Sequence, residues 1–213
     1  MYRIDRNNYY DESKNSTVYT PTILSDFLFK ILNKEIDKKS YIFDPCVGKG
    51  SLLKPWKKNG WKIVGMDIEK QGFLNTKVKN YLEINFNKDL KNIKPSLVIM
   101  NPPFNVDNET IDYIKANKYG NGSARPFLPE VWLDKTIELF GKDIPIVMFT
   151  PYGFRLNLKS ANGGSKRYKK FKDGKIPKIT SIISLPVDVY KEVKFHSEII
   201  IFNVEGINPH YMF

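Results

Sequence analysis

The sequence predicts a doubly wound α/β fold around a mostly parallel sheet of seven strands. Short, nearly continuous apolar runs at 41–44, 61–67, 97–100 and 144–150 suit strands buried on both faces. Helical patterns alternate with them, as parallel pairing requires. A last pair of runs, at 180–185 and 198–204, reads as a closing hairpin.

Residues 1–18 are polar, rich in Asn, Asp and Tyr, and read as a flexible arm ahead of one domain over 19–213. Thr20 is placed as an N-cap and Pro21 at the first helical position, with Ile23, Leu24, Phe27, Leu28 and Ile31 on one face. The first strand runs into D-P-C-V-G-K-G. There Gly48 and Gly50 let the backbone turn sharply and approach a ligand, and the Asp44 carboxylate can face a cation. A dinucleotide loop needs a third glycine where Leu53 stands, and a phosphate-binding loop needs one where Phe43 stands. A cofactor carrying a pyrophosphate is therefore not expected. Cys46 reads as a small packing residue rather than a nucleophile.

The second strand ends at Asp67, 23 residues after Asp44, where nucleotide-binding α/β folds place the carboxylate that takes ribose hydroxyls. Glu69 is the substitute for it. The following connection, 70–76, is too short for a crossover helix, and 77–82 reads as a weaker third strand. The fourth strand, 97–100, runs directly into Asn101-Pro102-Pro103-Phe104. Two prolines stop the strand and hold this tetrapeptide at its C-terminal edge, where open α/β sheets bind ligands. The Asn101 amide and the Pro102 carbonyl offer two acceptors in a rigid frame, and Phe104 a stacking surface. That set suits a planar amino group on a ring. The polar stretch from 106 to 126 reads as a substrate loop, followed by a helix at 127–140 that Gly141 ends.

Composition adds constraints. The 34 Lys and Arg against 23 Asp and Glu give +11. The segment 155–178 alone, with nine basic residues and one acid, carries +8 of it. This basic insertion, with Tyr168 and Phe171 among its lysines, suits phosphates and bases. Lys166, Arg167, Lys169 and Lys170 are its candidate contacts. One cysteine excludes an internal disulfide and a Cys-based zinc site. No metal site is expected. The N-terminus has no signal-peptide core and no run reaches the length of a membrane span, so a cytoplasmic location is expected.

At Asn101–Phe104 the sequence resembles the S-adenosylmethionine-dependent amino-methyltransferases, whose motif is Asn/Asp/Ser-Pro-Pro-aromatic. The run from Asp44 to Gly50 resembles their glycine loop, D-P-x-x-G-x-G. Tyr19-Thr20-Pro21 is similar to the cofactor motif of those DNA adenine methyltransferases in which it precedes the glycine loop. The resemblance implies a Rossmann-like methyltransferase sheet, S-adenosylmethionine as cofactor, the N6 amino group of adenine in DNA as acceptor, and a bacterial or phage restriction-modification setting. It places Tyr19, Thr20, Pro21, Asp44, Pro45, Gly48, Gly50 and Asp67 at the cofactor. It also puts Asn80 at the position of the acid that takes the adenine amino group, with Leu82 as an apolar wall. The catalytic residues it implies are Asn101, Pro102, Pro103 and Phe104. Phe195, or else Tyr190, would pack against the extruded base beside Phe104. DNA is the implied partner, with sequence recognition open between this chain, a specificity subunit and a homodimer. A protein glutamine methyltransferase, a cytosine-N4 enzyme and a non-catalytic nucleic-acid-binding subunit are the alternatives.

Overall fold

A computed structural model describes residues 19–70, 72–73, 76–103, 106–120, 126–152, 154, 166–190 and 196–213. The elements begin with α1 (Thr22–Leu32), β1 (Tyr41–Asp44), α2 (Lys54–Lys58), β2 (Lys62–Asp67) and β3 (Thr76–Val78). A 3-10 turn (Tyr81–Glu83), α3 (Phe86–Leu90), β4 (Leu97–Met100), α4 (Asn108–Ala116) and α5 (Leu128–Phe140) come next. The chain finishes with β5 (Ile146–Pro151), α6 (Lys166–Lys172), β6 (Ile179–Ser184), β7 (Ser197–Phe202) and β8 (His210–Met212). The strands form one sheet in the order β3-β2-β1-β4-β5-β7-β6-β8. From β3 to β5 all pairings are parallel. β7 is inserted antiparallel between β5 and β6.

The apolar runs divide residue by residue between two cores, because successive strand side chains point to opposite faces. Phe43, Val98, Met100, Ile146 and Met148 join Val131, Trp132 and Phe140 of α5. Ile42, Leu97, Ile99, Val147 and Phe149 join Leu24, Leu28 and Leu32 of α1 and Trp56 of α2. Burial on both faces is why these strands read as continuous apolar runs rather than alternating ones.

Several expectations are corrected. The sheet has eight strands, not seven: β8 pairs in parallel with β6, Ile182 opposite His210 and Ser184 opposite Met212. Thr20 is not the N-cap of α1; Pro21 holds that position, with φ −59° and ψ 140°, and its carbonyl takes the Leu24 and Ser25 N–H groups. The third strand is shorter and earlier than 77–82, because Asn80 caps the 3-10 turn and ends the pairing. The stretch from 106 to 126 is not wholly loop. Asp107 accepts the Thr110 N–H at 2.8 Å and starts α4, whose Ile114 is buried. Likewise part of the basic insertion is the helix α6. The arm at 1–18 and the whole of 155–165 lie outside the described residues. Among the described residues no helix is long and apolar enough to cross a membrane.

Candidate active site

β1, β2 and β4 run in parallel, so Asp44, Asp67 and Met100, their last residues, share one edge of the sheet. The winding reverses between β1 and β4, and such a reversal opens a crevice at the C-terminal strand ends.

The two carboxylates brace the glycine loop. Asp44 is 1% exposed, and its Oδ1 accepts the Cys46 N–H at 3.0 Å. Burial pushes the Asp44 carboxyl up to about 7, opposed by the Cys46 N–H and reinforced by the nearby Asp67 charge. Asp67 Oδ2 accepts the Gly48 N–H at 2.8 Å, and its Oδ1 the Glu69 N–H at 3.1 Å. Gly48 and Gly50 hold φ of +48° and +76°, and any side chain at Gly50 would collide with the Phe73 ring. Pro45 is buried behind them. Tyr19 lies over this loop, with the Lys49 ammonium 4.0 Å from its ring centroid.

Asn101 ties the strand edge to both neighbouring segments. Its Nδ2 donates to Thr20 Oγ1 at 3.2 Å. Its backbone carbonyl accepts the Cys46 thiol at 3.2 Å. Burial, with the Asp44 and Asp67 charges, pushes that thiol well above its ordinary range, so Cys46 stays protonated and serves as a donor. Pro102 is buried and Pro103 half-buried. Phe104 and Phe195 lie outside the described residues.

Other expected site residues are placed differently. Asn80 Oδ1 accepts the Leu82 N–H at 3.1 Å, and its amide donates to Glu83; its acceptor is spent on the turn. Leu82 is wholly buried in the core with Phe43 and Val131, so it presents no wall to a ligand. Tyr190 is 2% exposed and packed in the opposite core, so its ring offers no face to a base. Arg167 and Lys170 point inward, onto Glu130 at 2.9 and 3.0 Å, and Lys170 also reaches Asp134 at 2.7 Å. These two cations hold α6 to α5. Lys169, exposed, pairs with Asp173 at 2.8 Å, and of Lys166 only the backbone, at the start of α6, is described.

Sequence reasoning missed Ile68, which is 63% exposed immediately after Asp67. Its signal was an apolar residue between two acids at a strand end. The acids at Glu130 and Asp134, four apart and so on one side of α5, were the unread sign that α6 had partners.

A crevice of this kind, with carboxylates on two adjacent strands and a proline-stopped third, defines the methyltransferase class of α/β fold. The N-6 DNA methylase family model matches residues 2–208, and the chain belongs to that family. A search of curated proteins finds no match. Among solved structures, a Listeria monocytogenes protein described as a class I S-adenosylmethionine-dependent methyltransferase superposes with a TM-score of 0.64 at 15% identity. That alignment covers 96% of this chain and 68% of the other. The methyltransferase subunit of a type I restriction-modification system from Streptococcus thermophilus gives 0.57 at 18% identity, over 92% of this chain and 47% of that one. The M protein of the type I restriction enzyme EcoKI gives 0.56 at 14%, over 90% and 46%. The chain thus spans about half the length of these two restriction-modification subunits.

Proposed function

We propose that this chain transfers a methyl group from S-adenosylmethionine to the N6 amino group of adenine in DNA. The observation that carries the reading is the meeting of three motifs at one edge, where Asn101 is bonded to Thr20 on one side and to Cys46 of the glycine loop on the other. A cofactor cradled at Gly48 and Gly50 would then lie beside the group that grips the acceptor.

The residues present fit that cofactor. An ammonium beside Asp44 would restore the charge that burial now disfavours. Asp67 can take ribose hydroxyls, and the exposed Ile68 offers an apolar platform for a base. When bound, S-adenosylmethionine supplies the methyl group as a sulfonium electrophile. Asn101 Oδ1 and the Pro102 carbonyl would accept hydrogen bonds from the two amino N–H groups of adenine, drawing the nitrogen lone pair out of conjugation and aiming it at the methyl, so that the C–N bond forms as the S–C bond breaks and the surplus amino proton leaves to water. Phe104 and Phe195 stack on the ring. The base must leave the duplex, since a stacked amino group cannot reach the crevice. Rate enhancement comes mainly from position. The exposed face of α6, Lys169 and Lys172, contacts phosphates. The restriction-modification neighbours are methyltransferase subunits by name, so a partner chain is proposed to supply sequence recognition.

Incubation with methyl-labelled cofactor and adenine-containing DNA should yield N6-methyladenine. Asn101→Ala should lower kcat by about 10²-fold or more while the cofactor Kd, read by calorimetry, stays near the wild-type value. Label on a glutamine-containing protein instead of DNA would overturn the substrate. Cofactor binding without turnover on any DNA would favour a non-catalytic subunit.

A further inference from the structure

Asn101 has a side chain whose two ends are opposite in chemistry and nearly equal in shape. One flip presents an acceptor to an incoming amine, the other presents two donors. Only the first can hold the target amino group on the reading given above, on which this inference rests. Something in the fold must therefore hold the amide in that pose, because it is only half-buried and its shape alone does not.

We propose that Thr20 is the positioning residue that anchors the amide in that pose. Its Oγ1 receives Asn101 Nδ2 at 3.2 Å across 81 residues of sequence, which turns Oδ1 to the other side of the amide. Thr20 is only 8% exposed, so its hydroxyl is directed at Asn101 rather than presented to solvent. The backbone at both ends of the bond is fixed. Pro21 follows Thr20 and sets the entry to α1. Pro102 follows Asn101, whose carbonyl is already held by the Cys46 thiol. With both main chains restrained, the side chain keeps only its own torsions, and the Thr20 bond holds its amide nitrogen on the α1 side of the strand edge. The Tyr19–Pro21 segment thus acts on the acceptor side of the reaction as well as packing over the glycine loop.

Thr20→Val keeps the shape and removes the oxygen, so the amide is released to swing toward water. With wild type active on DNA, kcat should fall about tenfold, the value of one hydrogen bond, with the cofactor Kd unchanged. Thr20→Ser should restore kcat to within about threefold. In protein labelled at asparagine nitrogen, the Asn101 side-chain NH₂ protons, identified by their loss in Asn101→Ala, should exchange slowly in wild type and Thr20→Ser and quickly in Thr20→Val. Undiminished kcat in Thr20→Val, or a weakened cofactor Kd with kcat preserved, would overturn the positioning role and leave the proposed reaction standing. An inactive wild type would overturn the reaction itself.

Discussion

Asp44 carries a conflict between stability and function. Its carboxyl titrates near 7 in the fold against 3.8 for an ordinary aspartate, chiefly through burial. A raised acid contributes stability that is complete below about pH 4 and lost as pH rises through about 7. Cofactor binding has the opposite slope, since an ammonium needs the ionised form. Between pH 6 and 8 the S-adenosylmethionine Kd should therefore fall about tenfold. Asp44→Asn should raise the melting temperature of the free protein at pH 8 and flatten its pH dependence, while weakening cofactor binding. A Kd that does not change across pH 6–8 in wild type would remove Asp44 from the cofactor site. Residues such as Asp44, Gly48 and Asn101 were legible in the sequence because prolines and glycines punctuate the backbone around them. The pairing of Thr20 with Asn101 was not, since their bond spans 81 positions and neither side chain signals the other. Leu82 was misread because a single apolar residue does not say which surface it covers.

Helix α6 shows how charge counts mislead without partners. Seven residues, K-R-Y-K-K-F-K, read as a uniform cationic segment. Folded, the helix has two faces. Arg167 stacks over Phe127 and Phe154 at 4.7 and 5.2 Å and meets Glu130, which is fully buried, while Phe171 packs edge-on to Phe154. Lys169 and Lys172 remain on the exposed side. The faces should separate experimentally. Glu130→Ala strands Arg167 near the interior and takes from Lys170 one of its two carboxylates, leaving Asp134, and should reduce unfolding free energy by about 3–5 kcal/mol in urea titration. Lys169→Ala breaks only an exposed pair and should change it by less than about 1 kcal/mol. On DNA the ranking reverses: the salt slope of binding should fall by about 0.9 for each of Lys169 and Lys172 replaced by alanine. An unchanged slope in the double variant would mean that α6 does not contact phosphate. The helices α1 and α5 were legible because long amphipathic patterns carry their own boundaries. The helix α4 was not: its cap, Asp107, and one buried residue, Ile114, sit in a stretch whose polarity looked like loop.

At the scale of the molecule, one sheet carries both cores, and we expect the described chain to unfold as a single domain in one calorimetric transition. A mostly parallel sheet with a closing hairpin was legible, because strands that alternate with helices pair in parallel. The eighth strand was not, since H-Y-M is short and has no apolar run. Its place is set from outside: Tyr211 and Phe213 meet the Phe27 ring of α1 edge-on at 5.7 and 5.4 Å, and His210 Nε2 lies 3.0 Å from Ser184 Oγ. β8 therefore closes a sheet edge four strand positions, roughly 19 Å, from β4 and Asn101. Stability and chemistry should be separable across that distance. Removing 210–213 deletes two aromatic pairs of about 0.5–1.5 kcal/mol each and leaves β6 as the new edge. At about 2–4 °C per kcal/mol for a chain of this size, the melting temperature should drop by about 2–12 °C, with kcat on DNA at 20 °C kept within about twofold. The transition should stay single, because both cores still share the seven remaining strands. A split transition, or a loss of kcat as large as that of Asn101→Ala, would show that the edge and the crevice are coupled through the sheet.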